Sequence, residues 1–147
     1  MKTNIELVIM AWGLMVAAPA FAQDGKPSIF GEWRMTSLQA TKADGSVVQI
    51  PYSGQVIFAR SGTLSVQAMD ADPGAKPTTY TANAYEAYYG PVQIDQANRT
   101  FSITVTSSLV RDLIGQKLVR KFEVSHDKLV IMPATPGETW RVTYERQ

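Results

Sequence analysis

Apolar and polar residues alternate along most of the chain after residue 30, and clusters of turn-forming residues interrupt this alternation. Gly and Asn reach positive φ at low cost, and Asp and Ser form hydrogen bonds within their own turns, so these clusters reverse the chain. The pattern predicts nine strands, over residues 31–38, 46–50, 55–59, 63–69, 88–94, 100–106, 117–124, 128–132 and 139–146. Short strands joined by tight turns indicate an all-β fold, either a sandwich or a small antiparallel up-and-down β-barrel of about eight or nine strands. The barrel is favoured because closure leaves no strand edge exposed.

Two longer segments, residues 70–87 and 107–116, break the rhythm of the strands. Residues 80–86 at the end of the first segment are predicted to form one or two helical turns. In the second segment the apolar residues at 109, 110, 113 and 114 are spaced for a short helix with one apolar side. Long loops on a small domain act as lids over a site or plug one end of the core, and both readings stay open here.

Strand parity separates an inward face from an outward face, because successive side chains of a strand point to opposite sides. The predicted inward set is Gly31, Trp33, Met35, Val56, Phe58, Leu64, Val66, Ala68, Tyr88, Val92, Ile94, Phe101, Ile103, Val105, Trp140, Val142 and Tyr144. An eight-stranded barrel either fills itself with side chains or holds one small ligand. This mixture of small and large residues is compatible with a cavity and with a packed interior.

Parity also places two arginines on inward faces, where a guanidinium must be paired or stacked on an aromatic ring. Arg146 follows an inward series at the chain end, and we expect it to close the barrel together with Gly31, Trp33 and Trp140. Arg120 shares its face with apolar residues. It either satisfies internal carbonyl groups or holds the anionic group of a ligand through a bidentate contact.

The first 22 residues have the features of a cleaved secretory signal. Lys2 gives a basic start, residues 7–18 are an unbroken apolar and small run, and Ala20-Phe21-Ala22 has the pattern that a signal peptidase reads. The run is shorter than the about 20 apolar residues that a transmembrane helix needs. We therefore expect cleavage near Ala22, a periplasmic or secreted location, and one barrel domain over residues 23–147 with no membrane span.

Composition and charge restrict the classes of partner. The net charge is +1, and the basic residues are scattered, with only Arg120-Lys121 adjacent, so no basic stripe marks a nucleic-acid surface. The sequence contains no Cys, so the exported domain has no disulfide and depends on a packed core.

The chemistry of catalytic and metal sites is not evident in the sequence. Nucleophilic catalysis needs a thiol or hydroxyl beside a base, and the single histidine, His126, falls in a predicted turn. Asp70 and Asp72 are the only close acidic pair, and a turn before Pro73 accounts for them. We therefore predict no catalytic residue, no metal ligand and no cofactor.

A family resemblance extends over about residues 30–146. Gly31-Glu32-Trp33, with an arginine on a strand at the far end of the chain, resembles the lipocalin signature. Residues 31–35, 58–67, 85–94 and 142–146 are similar to successive segments of the bacterial and fungal lipocalin-like domain family. The resemblance implies an antiparallel barrel with a central cavity that binds small apolar molecules. Arg120 matches an arginine of the family's return segment, whereas the histidine that members often carry after the Tyr-Gly segment is absent here.

Ligand binding is therefore the favoured function. Apolar walls with one or two polar anchors are the usual form of a ligand pocket. Arg120 and Tyr88 are the predicted anchors, with Phe58, Phe122 and Tyr144 as further ligand-binding residues, and a fatty acid or another amphipathic anion would suit them. One alternative is a protein-interaction or inhibitor module of the cell envelope that uses exposed aromatic residues of the 80–89 segment. A second is an isomerase or cyclase built on the lipocalin fold.

Overall fold

The computed structural model describes residues 25–147 of the chain, which form one antiparallel sheet of ten strand segments. The predicted signal sequence lies outside the described residues. The strands are β1 (Gly31–Thr41), β2 (Val47–Ile50), β3 (Tyr52–Ala59), β4 (Thr63–Asp70), β5 (Tyr85–Asp95), β6 (Thr100–Thr104), β7 (Ser107–Ser108), β8 (Lys117–Val124), β9 (Lys128–Pro133) and β10 (Trp140–Arg146). A short 3-10 turn spans Arg111–Leu113. No helix within residues 25–147 has the length and hydropathy needed to cross a bilayer.

The strands pair largely in chain order, and the pairing of β10 with β1 closes the barrel. β1 pairs with β3 along its first half and with β2 along its second half. Pro51 separates β2 from β3, since proline cannot donate a ladder hydrogen bond, and the two form one interrupted strand. With β7 only a two-residue addition to β5, the closed barrel has eight strands. This confirms the predicted all-β, up-and-down architecture.

A β-bulge in β1 changes which of its residues face inward. The register with β10 shifts between Met35 and Ser37, so that one extra residue is inserted on β1. Trp33 and Met35 point inward before the bulge, and Leu38 and Ala40 reach the interior after it. Simple alternation along β1 therefore holds only up to Met35.

Residues 80–86 form a tight hairpin turn and no helical turn. Ala82 and Tyr85 exchange two backbone hydrogen bonds of 2.9 Å. The two residues between them, Asn83 and Ala84, have φ values of 50° and 63°, as in the turns that favour short hairpins. β5 consequently begins at Tyr85, before the predicted start at residue 88. In residues 107–116 the predicted short helix is reduced to the 3-10 turn, in which Leu113 is buried, whereas Leu109 and Ile114 are exposed.

One half of the barrel interior is filled by side chains, and we call it the filled half. It lies where β1 begins and β10 ends, and its largest members, Trp33, Phe58 and Phe122, are at most 1% exposed. Phe58 packs edge-on against Phe101 with ring centroids 5.1 Å apart. Ile29, just before β1, is fully buried and plugs this end, and its carbonyl accepts a 2.8 Å hydrogen bond from Trp33 Nε1.

Arg146 covers the filled end at the outer side of Trp33. Its guanidinium lies 4.0 Å from the Trp33 ring centroid. It donates three hydrogen bonds of 2.6–3.0 Å to the backbone carbonyls of His126, Phe30 and Ser28. Gly31 has φ of 132°, and a Cβ there would lie 2.6 Å from Arg146 Nη1. Only glycine therefore fits beneath this guanidinium without displacing it.

Candidate functional site

The other half of the barrel encloses a cavity of about 620 Å³, and we call it the hollow half. Small residues create the space, because Ala40, Val66 and Ala68 occupy inward positions there. At Gly54, opposite Ala68, a side chain would collide with the facing strand, since a Cβ would lie 2.5 Å from the carbonyl oxygen of Gln67. The volume falls within the roughly 300–1,000 Å³ of pockets that hold one small molecule.

The cavity reaches solvent between the strand ends and the loop that joins β4 to β5. Thr78, Thr79 and Tyr80 of this loop line the cavity, and the two threonines are exposed. Thr81 holds the loop inward, because its buried hydroxyl accepts a 2.9 Å hydrogen bond from the backbone N–H of Thr78. We refer to residues 71–84 as the mouth loop.

Most of the cavity wall is apolar. Its aliphatic and aromatic members are Met35, Leu38, Ala40, Ile50, Val56, Leu64, Val66, Ala68, Phe101, Ile131, Trp140 and Val142. The polar members are four tyrosines, Tyr52, Tyr80, Tyr88 and Tyr144, two mouth-loop threonines, and the charged residues Asp70, Glu86, Arg120 and Glu138. This composition suits a molecule with a large apolar part and a small polar part.

Arg120 is the buried cation of the cavity, with 7% of its surface exposed. It lies in β8, where Phe101 of β6 and Pro133 of β9 are its partners. Nη1 donates a 2.9 Å hydrogen bond to the carbonyl of Val119, and Nη2 donates one of the same length to the Tyr80 hydroxyl. A guanidinium has five N–H donors, so these two bonds leave further donors for a ligand.

The charge of Arg120 is stabilised by aromatic rings and not by a direct ion pair. Its guanidinium carbon lies 5.1 Å from the Trp140 ring centroid and 5.4 Å from that of Tyr80. Within residues 25–147, the ion pairs closer than 4.0 Å join Arg34 to Glu145 and Arg141 to Glu123, both on the outside of the barrel. Arg120 therefore presents a desolvated positive charge to the cavity, with no carboxylate in contact within this part of the chain.

Glu86 brings a carboxyl group into the same cavity. It lies in β5 two residues before Tyr88, so both side chains share the inward face. Burial raises the pKa of Glu86 to about 7, although the charge of Arg120 and a hydrogen bond from Tyr88 act in the opposite direction. The protonated and ionised forms of this carboxyl group are consequently both populated near neutral pH.

Burial keeps the hydroxyl groups of Tyr52, Tyr88 and Tyr144 protonated. Burial, together with the charges of Glu86 and Asp70, raises the pKa of Tyr52 to about 12. Burial also raises the pKa of Tyr88 and of Tyr144 well above the ordinary value, and Glu86 adds to both shifts. The hydroxyl groups of Tyr52 and Tyr144 are therefore available to polar atoms of a bound molecule over the physiological pH range, whereas that of Tyr88 already bonds to Glu86.

The family follows from a comparison of the whole barrel. A family model described as a lipocalin-like domain matches residues 30–146, which is nearly all of the described structure. The chain belongs to this lipocalin-like family. Its closed barrel with one hollow half agrees with the resemblance noted in the sequence. No curated protein is a significant match to the chain.

The ligand-binding residues predicted for this lipocalin-like barrel fall into two groups. Arg120, Tyr88 and Tyr144 line the cavity. Phe58 and Phe122 do not, because they are buried in the filled half, each 1% exposed. Their role in ligand binding stays a prediction, and their absence from the cavity wall does not support it. Parity identifies an inward side chain, but it does not give the depth of that side chain along the barrel axis.

The predicted closure residues also divide between the two ends. Gly31, Trp33 and Arg146 meet at the filled end. Trp140 pairs with Ala40 in the β1–β10 ladder that closes the barrel, but at the opposite end, where it lines the cavity. Its Nε1 donates a 2.8 Å hydrogen bond to Glu138.

Among the cavity residues that the sequence did not identify are Glu86, Tyr80 and Tyr52. Glu86 has the parity of Tyr88, and this signal was lost because residues 80–86 were assigned to helical turns. Tyr52 begins β3, which was predicted to start at residue 55. Within residues 25–147 no group of three or more His, Cys, Asp or Glu side chains is placed to hold a metal ion.

Proposed function

We propose that this lipocalin-like protein is an exported carrier that binds one small amphipathic anion inside its barrel. The observation that carries the proposal is the buried guanidinium of Arg120, which faces an apolar cavity with no carboxylate in contact among residues 25–147. A desolvated guanidinium binds a carboxylate, sulfonate or phosphate group strongly, since charge-assisted hydrogen bonds are about twice as strong as neutral ones.

The rest of the cavity supports the same class of ligand. The aliphatic wall suits a hydrocarbon or aromatic body, because burial of apolar surface contributes about 25 cal/mol per Å². Neutral tyrosine hydroxyls at positions 52 and 144 supply hydrogen-bond donors to polar atoms of the ligand. Export is proposed from the N-terminal 22 residues, whose pattern is that of a secretory signal. A periplasmic or secreted location is tested by fractionation and by the N-terminal sequence of the exported protein.

The binding proposal is tested with two fluorescent probes that share their aromatic rings. Anilinonaphthalene sulfonate carries a permanent negative charge, and phenylnaphthylamine is the neutral counterpart. Arg120→Met should weaken sulfonate binding by about tenfold or more, which corresponds to about 1.4 kcal/mol, and leave binding of the neutral probe nearly unchanged. The matched control is Arg34→Met, which replaces an arginine on the outside of the barrel that pairs with Glu145.

Near-UV circular dichroism of each variant shows whether its tertiary packing is retained. Equal sulfonate affinity of the folded Arg120→Met variant and the wild type would refute the anchor role. Native mass spectrometry of protein purified from its own host then identifies the bound molecule, which should be an amphipathic anion.

A second candidate function is a protein-interaction module of the envelope, favoured by one patch outside the barrel. Met69 and Tyr85 face each other across β4 and β5, and Tyr89 follows on the outer face of β5. These three side chains are 38–46% exposed, and Leu109, which is 50% exposed, joins the same strand through a backbone hydrogen bond to Ala87. If this function is correct, Tyr85→Ser and Tyr89→Ser should abolish capture of an envelope protein while sulfonate binding stays intact.

A further inference from the structure

The inference rests on the proposed function and concerns the second charged group inside the cavity. We propose that Glu86 selects the charge of the ligand, so that the protein takes up amphipathic monoanions when this carboxyl group is protonated and releases them when it ionises. The ligand class is an apolar body with one negatively charged group, bound at Arg120 in the presence of a neutral Glu86.

The placement of the two side chains supports this selection. Arg120 lies in β8 and Glu86 in β5, with β6 between these strands in the barrel wall, and both side chains line the cavity. They are not in direct contact, because the ion pairs formed among residues 25–147 do not include them. They nevertheless act on each other electrostatically through the cavity. An anion bound to Arg120 therefore lies in the same cavity as the carboxyl group of Glu86.

The groups around Glu86 determine how it responds to pH. Titratable or charged side chains face the same cavity from each adjoining element: Tyr52 of β3, Asp70 of β4, Tyr88 of β5, Arg120 of β8, Tyr144 of β10 and Tyr80 of the mouth loop. Asp70 lies where β4 meets the mouth loop and accepts a hydrogen bond from the backbone N–H of residue 72. The carboxyl group of Glu138 accepts a hydrogen bond from the indole N–H of Trp140.

Burial shifts the pKa of several groups in the cavity. Of these groups, Glu86 is the one that changes charge near neutral pH. Burial raises its pKa to about 7, whereas the pKa of Tyr52 rises to about 12 and those of Tyr88 and Tyr144 rise well above their ordinary value.

The consequence for an anionic ligand has two parts. When Glu86 is protonated, Arg120 attracts the anion without opposition, and the carboxylic O–H is an additional donor. When Glu86 is ionised, its negative charge offsets that of Arg120 and repels the ligand across a medium of low polarity, where charges interact more strongly than in water. Binding of an anion must in turn favour protonation of Glu86, because the two equilibria are linked.

The experiment measures the Kd of anilinonaphthalene sulfonate between about pH 5 and pH 9, a range over which the sulfonate itself does not titrate. For the wild type we expect the Kd to rise about tenfold across neutrality, the effect of a one-unit displacement of the Glu86 titration by the bound anion. Glu86→Gln should bind with a pH-independent Kd close to the wild-type value at low pH. The neutral phenylnaphthylamine should show a flat profile with both proteins.

The matched control is Glu145→Gln, which replaces an exposed glutamate on the outside of the barrel and should keep the wild-type profile. A flat wild-type sulfonate profile, or a pH dependence that persists in Glu86→Gln, would overturn the role of Glu86. If the folded Arg120→Met variant instead bound the sulfonate as tightly as the wild type, the proposed function itself would be overturned. The two failures are therefore distinguishable. If Glu86→Gln does not fold, carbon NMR of the wild-type carboxyl group decides, because its pKa must rise when the sulfonate binds.

Discussion

The Tyr80 hydroxyl accepts a 2.9 Å hydrogen bond from Arg120 Nη2, and this bond joins the mouth loop to the wall of the cavity across forty residues of sequence. The same guanidinium is the proposed anchor for an anionic ligand. A ligand that takes this Nη2 donor must therefore share it with the Tyr80 hydroxyl or displace that hydroxyl. Entry of the ligand and the position of the mouth loop are thereby coupled through one donor group.

Tyr80→Phe removes this hydrogen bond and keeps the aromatic ring over the guanidinium. We expect anilinonaphthalene sulfonate to bind several-fold more tightly, because a hydrogen bond to a charged group, worth about 1.5–3 kcal/mol, no longer competes with the ligand. Hydrogen exchange should accelerate in the mouth loop, residues 71–84. Tyr89→Phe, on the outside of the barrel, is the control and should change neither property. Weaker binding by Tyr80→Phe would show that the hydroxyl assists the ligand instead.

Arg146→Met should destabilise the barrel without affecting the cavity at its other end. Three backbone carbonyls lose their donor, and Trp33 loses the cation stacked on its ring. Together we expect a loss of about 2–4 kcal/mol in the free energy of unfolding, measured by urea denaturation. Arg34→Met, which breaks an exposed ion pair, should cost less than about 1 kcal/mol. A similar loss in both variants would contradict the sealing role of Arg146.

Gly31→Ala should be more destabilising than Gly62→Ala. Both glycines have positive φ, 132° and 89°, and an alanine is strained at either position. At Gly62 a Cβ would meet nothing within 4 Å, whereas at Gly31 it would lie 2.6 Å from Arg146 Nη1. The difference between the two losses of unfolding free energy contains the collision with Arg146 and the difference in backbone strain between the two φ values. We expect it to exceed about 1 kcal/mol, and equal values would show that the guanidinium moves aside freely.

Stability should fall as pH rises toward neutrality because of Glu86. The folded-state pKa, about 7, lies above the ordinary value of 4.5, so the folded protein holds this proton where the unfolded chain has lost it. Stability from this group is therefore full below about pH 4.5, declines between about pH 4.5 and 7, and is constant above. Glu86→Gln should be more stable than the wild type at pH 8, on the order of 3 kcal/mol at most, with a gap that closes toward pH 4.5. Thermal unfolding of both proteins across this range tests it, and a gap that widens on acidification would contradict it.

Alternation and turn residues predicted the barrel well because each strand has one face in the interior. Trp33, Phe101 and Tyr144 were all placed inward correctly. The sequence could not show how the interior divides into filled and hollow halves, since parity says nothing of depth or of empty volume. The prediction of helical turns at residues 80–86 was wrong for a local reason. Ala84 occupies a positive-φ turn position where glycine is the usual residue, so the turn had no recognisable signal. The contact between Tyr80 and Arg120 exists only after the barrel has closed.

The division between a filled and a hollow half also determines how such a protein can change over evolution. Substitutions around Trp33, Phe58 and Phe122 meet close packing on every side and are opposed by losses of about 3–5 kcal/mol for truncations. At Val66 or Ala68 a larger side chain would instead extend into open space. Under the proposed function, wall residues of the hollow half can be exchanged to accept a different ligand, while the filled half maintains the barrel. This separation of the filled half from the hollow half would also make the protein a convenient starting scaffold for engineered sensors of small amphipathic molecules.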